Sequence, residues 1–275
     1  MTTVIAWISY SDTGESPELP RAMYMASDSR ITWGSEAHRW DAGRKIYSSI
    51  KEPHLFGYCG EVVFPSLVLG QLVSAIDQGV LFSPEANADS KNAAILGSIK
   101  ASHNRRHNVQ EHDFTILHVH RSRDWPSTTF AAWEISYAAV DGAWCSREVP
   151  IPTNTAIAAA LGSGASSARS HTGRWADSDV GGTSRSIFSA FCDALTSGGD
   201  QRSGGVPQIS GLYTKGPPRP LGYLENGQPF LHGLQLETGL ALKSIEWRDR
   251  LFQRVDPVTL LPLRGARRFA RPRLE

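Results

Sequence analysis

Short blocks of alternating or continuous apolar residues, punctuated by glycine and proline, run along most of this 275-residue chain. The opening TTVIAWISY and the later MYMASDSRITWG have the apolar, β-branched and aromatic content of buried strands. The polar segment SDTGESPELPRA between them, with its two prolines, predicts a long hairpin. RKIYSSI and HLFGYCG predict a second pair of strands. Pro65 suits the first turn of a helix whose apolar stripe is Leu67, Leu69, Leu72, Val73 and Ile76, and residues 86 to 106 predict a second helix. Residues 113 to 121, 128 to 140 and 143 to 149 alternate in the period of strands, with Asp141-Gly142 as a hairpin turn. TAIAAALGSG reads as a buried strand ending in a glycine turn. A short helix from Ser166, a longer one from Thr183 to Leu195 and a strand in VPQISGLYTKG complete the pattern. Hairpins, two helices, strands, two helices and strands again suit two sheets packed together with helices outside them, an α+β fold with no internal repeat.

Composition narrows the class. An apolar content of 40% over this length supports one sizeable domain, and 28 basic against 27 acidic residues leave no overall charge to attract nucleic acid or an anionic membrane. Locally, RGARRFARPR between Arg264 and Arg273 carries five arginines and is read as a solvated or subunit-facing tail in preference to a polyanion contact. Cys59, Cys145 and Cys192 are odd in number and lack metal-binding spacing, which argues against disulfides or zinc and points to a reducing cytoplasm. No apolar run is long enough for a membrane helix, and no signal sequence is recognisable.

Thr2 is the residue with reactive potential. A hydroxyl near neutral pH is a poor nucleophile unless a base takes its proton, and the amine of an N-terminal threonine, with a reference pKa of about 7.7 to 8.0, can be that base. The small side chain behind Met1 permits removal of the methionine, so maturation is expected to need that step alone.

Further positions join Thr2 in a recognisable order. Thr2-Thr3-Val4-Ile5 opens the first strand, Ala26-Ser27-Asp28-Ser29-Arg30 lies in the second, and Lys45 lies seventeen residues after Asp28. Gly57-Tyr58-Cys59-Gly60 forms a Gly-x-x-Gly turn, Gly162-Ser163-Gly164 a second glycine turn, and Asp200-Gln201-Arg202-Ser203-Gly204-Gly205 an Asp-x-x-Ser-Gly-Gly segment. In this order and spacing, from Thr2 to about residue 215, the chain resembles proteasome beta subunits and the bacterial HslV-type peptidases, a family of N-terminal-nucleophile hydrolases.

That resemblance implies a four-layer αββα sandwich and a threonine-type peptidase or amide hydrolase. It assigns Thr2 as nucleophile, Lys45 and Asp28 as its electrostatic partners, Gly57 as oxyanion donor, and Ser163, Asp200 and Ser203 as the groups that position the amine. Arg30, Ile31, Leu55 and Cys59 are implied on the substrate side. The uncharged Ile31, Leu55 and Cys59 point to cleavage after apolar residues, because burying an unpaired charge against them is costly. Also implied are a peptide or unfolded-protein substrate, a homo-oligomer in a ring or related assembly, an ATPase partner of unknown identity, and no cofactor. A small-amide hydrolase on the same fold and a catalytically silent scaffold subunit are the alternatives.

Two features depart from the family. The first hairpin is about ten residues longer than usual, and residues 216–275 extend past the 2–215 domain as an assembly or cleft element containing the helix-like SIEWRDRLFQRV. His118 and His120 alternate on one strand face, as a metal pair would, but no third ligand stands at a recognisable spacing, so they are read as core histidines. The His103 and His107 pair, near His112, lacks the glutamate of a metallopeptidase helix.

Overall fold

The structure, a computed structural model, describes residues 2–11, 19–83, 85–237, 242–266 and 271. Its fold is α+β, with four α-helices among the described residues. Strands β1 (Thr3–Tyr10) and β2 (Pro20–Ser27) pair as the first hairpin. The tip of that hairpin, where the chain is longer than in the family it resembles, lies outside the described residues. The short strands β3 (Ile31–Thr32) and β4 (Arg39–Trp40) form a small ribbon, and β5 (Ile46–Ser48) pairs with β6 (His54–Gly60). Helices α1 (Val63–Asp77) and α2 (Ala88–His103) follow, then β7 (Phe114–Arg123), β8 (Thr129–Ala138), β9 (Ala143–Glu148) and β10 (Ala156–Gly162). Helices α3 (Ala165–Ala176) and α4 (Ser184–Thr196) precede β11 (Gln208–Tyr213). Pro65 falls within the first turn of α1, where its missing N–H costs nothing.

One sheet runs β10-β1-β2-β11 and continues into β12 (Arg219–Glu225), β13 (Gln228–Leu231) and β14 (Leu234–Gln235); the other runs β5-β6-β7-β8-β9. Strand β1 is apolar from Val4 to Ile8 because both of its faces are covered there. Ile5 and Trp7 pack with Phe188 and Phe191 of α4, whereas Val4, Ala6 and Ile8 pack with Leu55, Leu117 and Val119 of the second sheet. Strand β6 repeats the division. Leu55 and Cys59 face the first sheet, while Phe56 and Tyr58 face Leu69, Leu72, Ile95 and Ile99 of α1 and α2. The two-residue period of a strand therefore assigns each side chain to one core or the next.

The segment after residue 215 adds strands to the first sheet. Strand β12 pairs with β11, and β15 (Glu246–Arg248) lies parallel to β12 and pairs with β16 (Arg254–Val255). Buried Trp247 lies against Gly222, where a Cβ would come within 2.3 Å of its ring. The expected helix in SIEWRDRLFQRV is not formed. Glu246, Trp247 and Arg248 alternate as a strand, and the Asp249 carboxylate accepts the N–H groups of Leu251 and Gln253 at 2.9 and 2.8 Å, which bends the chain into a turn.

Candidate active site

Asp28 lies just beyond β2, where that strand is flanked by β1 and β11. Its carboxylate is fully buried and accepts four donors. Oδ1 takes the Thr3 N–H at 3.0 Å and the Lys45 ammonium at 2.8 Å, and Oδ2 takes the N–H groups of Arg30 at 3.1 Å and Gly204 at 3.0 Å. A buried carboxylate costs several kcal/mol unless its lone pairs are occupied in this way. Lys45 is equally buried and also donates to the Arg30 carbonyl. Burial pushes the Lys45 pKa down, against the opposing pull of Asp28. Gln208 holds the pair in place: it accepts the Lys45 N–H at 3.0 Å and donates to the carbonyls of Gly43 and Asp28.

A second network meets the first at β1. Asp200 Oδ2 accepts the hydroxyls of Ser163 at 2.6 Å and Ser203 at 2.7 Å. Because Ser203 spends its proton on Asp200, the 2.7 Å contact between Ser203 and Thr3 Oγ1 has Thr3 as donor. Burial raises the Asp200 pKa, but the two serine hydroxyls and the Arg202 N–H outweigh it and hold the group below its usual value. Gly164 is required at this meeting point, since a Cβ there would lie 2.0 Å from Thr3 Oγ1.

Thr2 itself is buried, and its Oγ1 has no hydrogen-bond partner among the described residues. Thr3, one residue on, bonds to both networks. Gly162, at φ +87°, faces the Thr2 carbonyl so closely that a Cβ would fall 1.7 Å from its oxygen. Only glycine fits there. Gly162 and Ser163 in turn line a cavity of about 1080 Å³ whose other walls include Trp33, Cys59, Gly60 and Tyr137. Burial raises the Cys59 thiol to a pKa of about 11, which keeps it protonated and uncharged.

The structure places four of the expected residues differently. The Glu61 N–H donates to the Asp113 carbonyl, which sets the phase of the β6–β7 ladder: odd-numbered residues of β6, Gly57 included, point their N–H at β7. The Gly57 N–H is therefore consumed in the sheet, and the residue faces Met25 and Val4 in the core. Gly60, at φ +94°, points its N–H the other way, beyond the Ile46–Gly57 pair where β5 ends. Leu55 is sealed between the sheets, and Ile31 is buried against Gly43; neither lines the cavity, whereas Thr32 and Trp33 do. Arg30 clamps Asp41 with two hydrogen bonds of 2.7 and 2.9 Å and caps the Gln201 carbonyl, so it staples the end of β2 to the 200–204 loop. Sequence reading missed Thr3 and Gln208 as members of the networks. Their signal was position alone, beside Thr2 and after the Gly204-Gly205 pair.

His118 and His120 point into the core beneath α1 and α2, where His54 joins them. His118 Nδ1 donates to the Asn92 side-chain oxygen at 3.2 Å, so its Nε2 is the acceptor for His54 Nδ1 at 3.0 Å. That leaves His54 Nε2 as a buried acceptor with no partner. Burial drives the pKa of all three rings down, His120 to about 3. Among the described residues, no group of three or more histidines, cysteines and carboxylates is arranged to hold a metal ion.

No family model matches the chain, and no curated protein matches it either.

Proposed function

We propose that this chain is an N-terminal-nucleophile hydrolase of the proteasome beta-subunit type, a threonine-type peptidase that acts once the Met1–Thr2 bond has been cut. The observation that carries the reading is the unpartnered Thr2 hydroxyl next in sequence to Thr3, whose N–H bonds to a fully buried carboxylate–ammonium pair. The three apolar cores, set between the helix pairs and the two sheets, support the four-layer αββα arrangement of that family.

In this mechanism the freed Thr2 amine takes the proton of Oγ1 as the oxygen attacks a peptide carbonyl. The Lys45 ammonium favours the charged oxygen, and Asp28 keeps that ammonium protonated against its burial. The tetrahedral oxyanion is met by a backbone N–H at the Gly60 end of β6, which replaces Gly57 in this role. Collapse expels the amine of the leaving peptide, protonated by the Thr2 ammonium. The acyl-ester left on Thr2 Oγ1 is then hydrolysed by water, with the same amine as base. Ser163, Asp200 and Ser203 set the position of that amine. The cavity has room for several residues of a peptide, which favours a peptide over a small amide.

Subunits of this type work as rings or related assemblies, so a homo-oligomer belongs to the proposal. The 216–275 segment is given a buttressing role there, because its β13–β14 turn packs at Gly233 against Ser29 and Ala42, next to Asp28.

Intact-mass spectrometry before and after a threonine-directed epoxyketone tests the reading. The expected result is loss of the methionine mass and a single adduct on Thr2, absent in Thr2→Ala. A retained methionine with no adduct would overturn it in favour of a silent scaffold subunit.

A further inference from the structure

Away from the Thr2 cavity, the ends of α3 and α4 and the C-terminal segment enclose a second cleft of about 530 Å³, within the range of small-ligand sites. Among the described residues Asp193 is its only carboxylate, and three arginines line the cleft with it. Arg250 and Arg271 bond to different oxygens of Asp193 at 2.9 and 2.7 Å, and the Trp175 ring N–H adds a third donor at 3.0 Å. Arg174 also lines the cleft and has no ion pair among the described residues. Arg250 Nε is buried with no acceptor, although its Nη2 is used by Asp193 and Thr196. His171 presents its ring at the same wall, with Nδ1 committed to the Ser167 carbonyl and Nε2 left over. Among the described residues three fixed positive charges thus line the cleft with one negative charge, and the Arg250 Nε and the Arg174 guanidinium lack acceptors there.

We propose that this cleft binds a phosphate group, free or carried as an ester on a larger molecule. A doubly charged phosphate balances the two excess positive charges, and its oxygens suit the paired N–H geometry of guanidinium groups. Asp193 holds Arg250 and Arg271 in place before the ligand arrives, and its charge opposes the ligand. Among the five arginines of the C-terminal run, Arg271 then has an intramolecular task. This site is independent of the chemistry assigned to Thr2.

Calorimetric titration of the full chain with inorganic phosphate and with glycerol 3-phosphate, against chloride at equal ionic strength, tests the site. Saturable binding of phosphate is expected. Equal or tighter binding of the ester identifies a phosphate carried on a larger molecule, and binding of the inorganic ion alone identifies free phosphate. Arg174→Ala removes an exposed side chain that has no ion pair among the described residues, and is expected to leave the fold intact and weaken binding about tenfold or more. Asp193→Asn is expected to tighten it severalfold, because the competing charge is gone. Absence of saturable binding, an unchanged affinity in Arg174→Ala, or weaker binding in a folded Asp193→Asn would each overturn the proposal. Should Asp193→Asn fail to fold, the Arg174→Ala comparison decides alone.

Discussion

The Asp28–Lys45 pair and the His54–His118–His120 group are both shut away from solvent, one at the end of β1 and β2, the other beneath α1 and α2. In the first, a carboxylate meets an ammonium: four donors saturate Asp28, and its charge opposes the burial that pushes the Lys45 pKa down. In the second, the charge is surrendered. The three rings lie at centroid distances of 4.6 to 6.3 Å, His54 and His118 pass hydrogen bonds one way toward Asn92 and Ser146, His120 pairs with the Ser122 hydroxyl, and every ring is held neutral. Hydrogen bonding alone does not distinguish the two, since each is a connected network. What separates them is the cost each tolerates and where it lies. The first keeps an expensive pair of charges within one residue of an idle hydroxyl and a large cavity; the second keeps cheap neutral groups in a closed core.

The largest effect should come from breaking the charged pair. Lys45→Ala leaves Asp28 buried without its counter-charge, and a loss of about 3 to 5 kcal/mol in urea-unfolding free energy is expected. Epoxyketone labelling of Thr2 should fall on the order of a hundredfold or more. Labelling at the normal rate in a folded Lys45→Ala protein would remove the electrostatic role. The histidine group should respond oppositely. His118→Leu strands the Asn92 oxygen and the His54 donor, and should cost about 2 kcal/mol while leaving the labelling rate unchanged.

Acid sharpens the contrast. The folded-state histidine pKa values lie below the unfolded value of about 6.5, so their contribution to stability is complete above that pH. It is lost as the pH falls from there toward about 3, the value to which burial takes His120. Each buried ring contributes at most about 1.4 kcal/mol per pH unit in that window. Urea midpoints measured from pH 7.5 down to 5 should therefore decline, and His120→Phe should flatten the decline. The smallest effect belongs to Ser163→Ala. It removes one of the hydrogen bonds that hold Asp200 below its usual pKa, so the acid limb of the pH–labelling profile should move upward, with under about 1 kcal/mol lost in stability. An unmoved limb would separate Asp200 from the reactivity of Thr2.

Much of this was legible in the chain itself. The apolar content of TTVIAWISY marked a buried strand, and the resemblance to proteasome beta subunits singled out Asp28, Lys45, Ser163, Asp200 and Ser203, which the structure does bring together around Thr3. What the sequence concealed depended on pairing between distant segments. Whether Gly57 or Gly60 has a free N–H is set by the register of β6 against β7, in which Gly60 meets Phe114. The burial of Leu55 follows from which face of β6 meets the first sheet. His54 and His118 are 64 residues apart in sequence, and only the ladder makes them neighbours. In SIEWRDRLFQRV the helical reading lost to the Asp249 side chain, which captured the N–H groups of Leu251 and Gln253 and bent the chain.

The position of β1 inside its sheet has a consequence for the order of biosynthesis. Its neighbours are β2, made soon after it, and β10, made some 150 residues later. Thr3 meets its hydroxyl partner, Ser203, only after 200 residues have been added. Thr3 is thus seated only after a segment made much later than its own strand. A nascent chain carries Thr2 without the Gly162 turn, Ser203 or Gln208, and the surroundings of that hydroxyl are completed only when the chain has emerged as far as those residues.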